Sequence, residues 1–277
     1  MTTPSANTRA QPLLTPAGPM ARPWTPLPYS DVARFDAGNL HLHWARLHAG
    51  QGLQPPVPGP LAEGWALYHS GDFERATALG LAHGQEGHTL ANQAMAIYAN
   101  YVEPREGIRL ALFREVADRA AIQLAHEPDN CQALYWQAYA LGRYSQGISV
   151  ARALAQGLGS KIKHMLERVI ELQPEHADAH ISLGVFHAEV IDKVGPLVAR
   201  MTYGVRADAA LQLFERGLEL HPESAMALME YARGLLMLEG DSQLSEATRL
   251  YEKAAAIRPI DARERLEVEL ARAGLGD

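Results

Sequence analysis

Residues 210–224, ALQLFERGLELHPES, decide how this chain folds. Ala210, Leu211, Phe214 and Leu218 recur at three- and four-residue intervals, the spacing of one helix face. Pro222 lacks a backbone donor and pushes the residue before it away from helical geometry, so the helix stops there. Ser224 then supplies a side chain suited to receive the free N–H groups of a new helix. The stretch reads as one helix, a stop and the start of the next.

The phrase occurs four times: HEPDN at Pro128, LQPEH at Pro174, LHPES at Pro222 and IRPID at Pro259. Asn130, Ser224 and Asp261 are good helix caps, whereas His176 is a poor one. The intervals of 46, 48 and 37 residues each hold two amphipathic segments. A pair of such helices cannot bury its apolar faces alone, so the units must stack on one another. The predicted class is all-α, an α-solenoid of helical hairpins over residues 61–277 that follows a proline-rich N-terminal tail. Eleven of the 17 prolines lie within residues 1–60, which are expected to be largely extended and partly disordered. One short helix at about 31–48, capped by Ser30-Asp31, is expected there, docking through Val32, Phe35, Leu40, Trp44 and Leu47.

Composition narrows the function classes. Of 277 residues, 47% are hydrophobic, enough for a sizeable core, and the net charge of -7 argues against a nucleic-acid footprint. The single cysteine, Cys131, excludes an internal disulfide and any site built from several thiolates. No run approaches the roughly 20 apolar residues that span a bilayer, and no secretion signal is evident, so a cytoplasmic location is expected.

The second helices resemble the tetratricopeptide repeat, whose pattern is A-x3-F followed by Pro: Ala210-x3-Phe214 leads to Pro222, and Ala247-x3-Tyr251 with Ala254 leads to Pro259. Leu183-Gly184 matches the first helix, and Gly64 to Ala76, GWALYHSGDFERA, resembles the turn of another unit. His180 and His187 replace the family's large aromatics, and Val169 and Gly217 its alanine. The hairpins ending at Pro174 and Pro222 exceed the family's roughly 34 residues by about 12 and 14. Aligned without gaps, Val150-Ala151-Arg152 pairs with Val198-Ala199-Arg200 and Glu167-Arg168 with Glu215-Arg216, an internal repeat that includes the insertions. Enlarged hairpins of this kind are similar to those of the regulator of microtubule dynamics family and of the T components of TRAP transporters. The tetratricopeptide resemblance implies a non-enzymatic scaffold that binds a peptide or protein in its concave groove. The TRAP resemblance implies the alternative, binding of a small apolar or anionic ligand.

Within such a groove, Tyr135, Tyr139 and Arg143 share a face at i, i+4 and i+8, with Trp136 beside them, and aromatics with arginine are typical anchors. The same register after Pro222 gives Met226, Met229, Arg233 and Met237. Trp65 and Tyr68 correspond in the earliest unit. No acid stands between Asp129 and Glu167 or from Lys193 to Arg206, so Arg152 and Arg200 are expected to form one basic end, able to receive acidic groups of a partner. His176, His180 and His187 have an i, i+4, i+11 spacing compatible with a metal, yet they fall where the hairpin core is filled. Gly157 to Lys161 lacks the spacing of a phosphate loop and reads as a connector. No catalytic set, metal or cofactor is predicted. The terminal segment Asp261 to Ala273, DARERLEVELARA, is expected to cap the array as a solvated helix.

Overall fold

A computed structural model of the protein describes residues 23–276. The expected disorder of residues 1–22 lies outside the described residues. The helices are α1 (Leu40–Leu47), α2 (Pro60–His69), α3 (Phe73–Ala82), α4 (Gly84–Tyr101), α5 (Glu106–His126), α6 (Cys131–Gln146), α7 (Val150–Ala155), α8 (Leu158–Leu172), α9 (Ala177–Val194), α10 (Pro196–Tyr203), α11 (Ala207–Leu220), α12 (Ala225–Glu239), α13 (Leu244–Ala255) and α14 (Ala262–Gly274). No strand occurs among the described residues.

Each proline phrase separates two helices as its chemistry requires. Helices α5, α8, α11 and α13 end before Pro128, Pro174, Pro222 and Pro259. Asn130 Oδ1 accepts the Ala133 N–H at 2.9 Å, Ser224 Oγ that of Ala227 at 3.1 Å, and Asp261 Oδ1 that of Glu264 at 2.8 Å. His176, expected to cap poorly, does the same through Nδ1, which accepts the Ala179 N–H at 3.2 Å. Burial lowers its pKa to about 4, so the ring stays neutral and keeps the lone pair that the cap needs.

Helix pairs α2/α3, α4/α5, α6/α8, α9/α11 and α12/α13 form hairpins that stack in sequence. Their first helices also touch in series, α2 on α4, α4 on α6, α6 on α9 and α9 on α12, and so make an inner layer. Phe214, the signature aromatic of α11, is fully buried between Gly184 of α9 and Gly234 of α12. A Cβ at Gly234 would stand 2.5 Å from that ring, so glycine permits the close approach.

The two insertions are helices. Val150-Ala151-Arg152 opens α7 and Val198-Ala199-Arg200 lies in α10, each after the C-terminal end of an inner helix. Gly157, read as part of a connector, takes a left-handed conformation at φ 62° and lets α8 begin at Leu158.

The N-terminal helix starts nine residues later than expected, at Leu40 rather than about 31. Asp36 Oδ1 accepts the N–H groups of Gly38 and Asn39, both at 2.8 Å, and this turn holds the chain out of helix until Leu40. Residues 44–53 then run across the N-terminal ends of α6 and α9. Gln51 donates to Asp178 of α9 at 2.9 Å, Gln132 of α6 donates to the Gln51 carbonyl at 3.0 Å, and Arg46 pairs with Glu264 of α14. Val32, Leu40 and Trp44 belong to the main apolar core.

The terminal helix is not the solvated cap that its charges suggest. Ala262, Leu266, Glu267, Val268 and Ala271 of α14 are buried, and the helix touches α12 and α13 on one side and α2 and α4 on the other. Its charges meet partners instead of water: Arg263 lies 3.2 Å from Asp178 and 2.8 Å from Glu267, and Arg265 lies 2.8 Å from Asp31. The array therefore closes on its own beginning.

Candidate binding site

Helix α6 supplies most of the residues that the sequence singles out, and the structure divides them. Tyr135 and Trp136 are each 1% exposed and pack in the core. Met229 is also buried, in the cluster of Leu228, Ala232 and Leu235. Tyr139 is half-buried with its hydroxyl shielded from solvent, and the Arg143 guanidinium lies 5.3 Å from its ring centroid. Arg143 donates to Glu230 of α12 at 2.7 Å, and Arg233 lies 3.6 Å from the same carboxylate. Burial opposes both charges of the Arg143–Glu230 pair, but Arg143 and Arg233 outweigh it and hold Glu230 below the usual carboxylate range. Arg143 and Arg233, expected to read a partner's acid, thus flank an acid of this chain. The expected groove is filled in the same way, by α14 and by residues 44–53.

A pocket lies between the two lengthened hairpins. It encloses about 130 Å³ and is bounded by α6, α8 and α9, with Tyr135, Tyr139, Arg143, Met226 and Glu230 at its inner end. Leu158, Ile162 and Leu166 of α8 face Ile181, Val185 and Phe186 of α9 across it, and Val150, Leu154 and Tyr203 from the insertions line its outer end. Gly142 of α6 is part of the wall, and a Cβ built there would meet nothing within 4 Å. The volume approaches that of an engineered cavity of about 150 Å³ that admits benzene, so one large apolar side chain fits.

Arg152 on α7 and Arg200 on α10 are exposed, and neither has an ion-pair partner among the described residues. Lys193, within the lining, lies 3.8 Å from Glu189. The three histidines of the metal-compatible spacing make local contacts: besides the His176 cap, His180 Nε2 lies 2.9 Å from the Pro174 carbonyl and His187 Nδ1 lies 3.4 Å from that of Arg206. Among the described residues no group of three His, Cys, Asp or Glu side chains is placed to hold a metal. No helix among them is long and apolar enough to cross a membrane.

The pocket-lining residues of α8, α9 and the insertions escape a reading based on one helix face, because the pocket lies between repeats. The doubled Val-Ala-Arg is the signal that points to it, since it marks where both hairpins are lengthened.

The buried polar cluster on the inner face has no signal in the sequence. His48 Nδ1 meets Gln51 Oε1 at 3.0 Å, His48 Nε2 meets His69 Nε2 at 3.1 Å, and His69 Nδ1 meets Asp261 at 2.7 Å. The relay joins α1, α2 and α14 across 192 residues of chain. Burial first, and then the nearby His69, hold His48 well below the ordinary histidine range.

Comparison with known proteins agrees with this architecture. Residues 66–273 match the model of the family described as Regulator of microtubule dynamics protein 1-3. Among solved structures, a thermophilic TPR protein of Thermus thermophilus is similar with a TM-score of 0.53 and 18% identity, covering 77% of this chain and 97% of its own. That likeness is one of fold. No curated protein matches the chain.

Proposed function

The chain belongs to the regulator of microtubule dynamics protein 1-3 family, and on that footing we propose that it is a non-enzymatic helical scaffold that captures a protein or peptide partner through the pocket between its lengthened hairpins. The observation that carries this reading is the pocket itself, an apolar space sized for one side chain, with the buried Tyr139 hydroxyl at its inner end. A buried anchor in a well-packed recess is how a small number of residues supplies most of a binding energy. Arg152 and Arg200 then attract acidic groups that flank the anchor in the partner. Arg143 lines the inner end, and Arg233 acts on it only through Glu230, which engages both.

A second reading has support in the same pocket. Its lining is mostly apolar and includes Arg143 and Lys193, which also suits a small apolar ligand with an anionic end. The two readings share one site and differ in occupant.

Gly142→Phe tests the site. The position lies in a helix, where a side chain is preferred over glycine by up to about 1 kcal/mol, and the new ring has open space to enter. The variant is expected to keep or raise its melting temperature while filling the pocket. Native mass spectrometry and affinity capture of both forms then decide: a protein held by the wild type and lost from Gly142→Phe supports the scaffold, and a small molecule lost in the same way supports the second reading. Identical occupants in both forms sink the pocket as the site.

A further inference from the structure

We propose that the paired helices α7 and α10 dock this protein on the surface of an anionic lipid bilayer. The first observation is a concentration of exposed apolar side chains. Of the twelve large hydrophobic residues exposed among the described residues, five sit on these two short helices. Leu197, Val198 and Met201 of α10 are 71%, 51% and 80% exposed, and Val150 and Leu154 of α7 are 43% and 48% exposed. In α10 only Ala199 is fully buried, so the helix stands out from the body while its sequence, PLVARMTY, is that of a buried one.

The two helices form one feature. Tyr203, the last residue of α10, lies against Gly159, which follows α7 at the start of α8. Leu154 and Tyr203 also line the same pocket. Both helices follow the C-terminal ends of inner helices, whereas residues 44–53 cross the N-terminal ends of α6 and α9. At 1.5 Å per residue the 16 residues of α6 separate the two by about 24 Å, so α7 and α10 project free of the N-terminal segment.

Charge selects the occupant. Residues 130–166 and 193–207 contain no Asp or Glu, although the whole chain carries a net charge of -7. Arg152, Lys161 and Arg200 are exposed cations without an ion-pair partner among the described residues. The acids next to this region are Asp192, exposed at the end of α9, Glu189, which lies 3.8 Å from Lys193, and Asp208, which lies 3.0 Å from Arg206. Apolar side chains set among arginine and lysine match a surface that is negative at its face and apolar a few ångströms below it, which is the interface of an anionic bilayer. A second copy of the chain fits less well, because a two-fold contact through this patch brings the same cations against each other.

Flotation of the full chain with lipid vesicles tests the proposal, using phosphatidylcholine alone and phosphatidylcholine with about one third phosphatidylserine. The wild type is expected to float with the anionic vesicles only, and high salt should release it. Leu197→Asp with Met201→Asp should abolish flotation. Arg152→Gln with Arg200→Gln should weaken it about thirtyfold, the effect of two charges near an anionic surface. All four positions are exposed, so the fold should not change, and Leu197 and Met201 lie outside the pocket lining, so the Leu197→Asp, Met201→Asp chain should keep the pocket's occupant. Absence of flotation, equal flotation with neutral vesicles, or full binding by the Leu197→Asp, Met201→Asp chain would overturn the proposal. A concentration-dependent dimer that this variant dissolves, without flotation of the wild type, would assign the patch to a second copy.

Discussion

Glu267 keeps its proton to about pH 7, against an ordinary value of 4.5, because burial in the inner layer disfavours its charge more than Arg263 favours it; Asp178 and Glu264 also face it and add to the shift. The native chain therefore binds more protons than the unfolded one between about 4.5 and 7, and this residue's contribution to stability is present below that interval and lost as pH rises through it. His176 acts with the opposite sign. Its native pKa of about 4 lies below the ordinary 6.5, so stability is lost as pH falls through that interval. Glu267→Gln should leave the histidine effect alone and remove the loss at higher pH. Unfolding free energies of the variant and wild type from denaturant titration are expected to diverge by about 1–3 kcal/mol more at pH 8 than at pH 5, and a constant difference would show that Glu267 does not titrate in this way. None of this is legible in the sequence, where Glu267 is one of several acids in a charged segment. Its burial depends on which face of α14 meets α2 and α4, and those partners lie some two hundred residues away.

Among the elements, the inner helices and their partners are the most legible. Their stops depend on proline and their starts on capping side chains, both local properties that the sequence displays. Helix α14 is the least legible, because periodicity assigns a face without saying whether charges on it meet water or partners. Arg263 shows the difference: it holds Asp178 of α9 and Glu267 of its own helix together. Arg263→Ala leaves the buried Asp178 with Gln51 as its one remaining hydrogen-bond partner among the described contacts, and losing one half of a buried pair costs about 3–5 kcal/mol. Urea unfolding should show that loss, with Arg263→Lys recovering part of it. A change below about 0.5 kcal/mol, the range of ordinary surface substitutions, would mean that α14 is seated by its apolar face alone. Helices α7 and α10 are half legible. Their shared Val-Ala-Arg marks the insertions, but short segments carry too few turns for periodicity to reveal which side packs.

At the scale of the whole molecule, the return of α14 to α2 and α4 separates this fold from an open stack. In an open stack each repeat senses only its neighbours, so a change in the last helix leaves the first hairpin unaffected. Here His69 of α2 is bonded to Asp261, which also caps α14. Asp261→Ala should therefore speed amide hydrogen exchange in α2 as well as in α14, while α8 and α11 stay protected. Exchange confined to α14 would show an open stack after all. The candidate site follows the same logic of legibility: Tyr139 and Arg143 can be found from one helix face, whereas α8 and α9 enter the pocket only through stacking.

The 192 residues between His69 and Asp261 also set a clock during synthesis. A ribosome adding about 5–20 residues per second needs roughly 10–40 seconds to bring the second partner out after the first. Throughout that delay the first hairpin has emerged but waits for the helix that completes its inner surface, so a chaperone holding α2 and α3 would be of most use to the nascent chain, before its last helix is made.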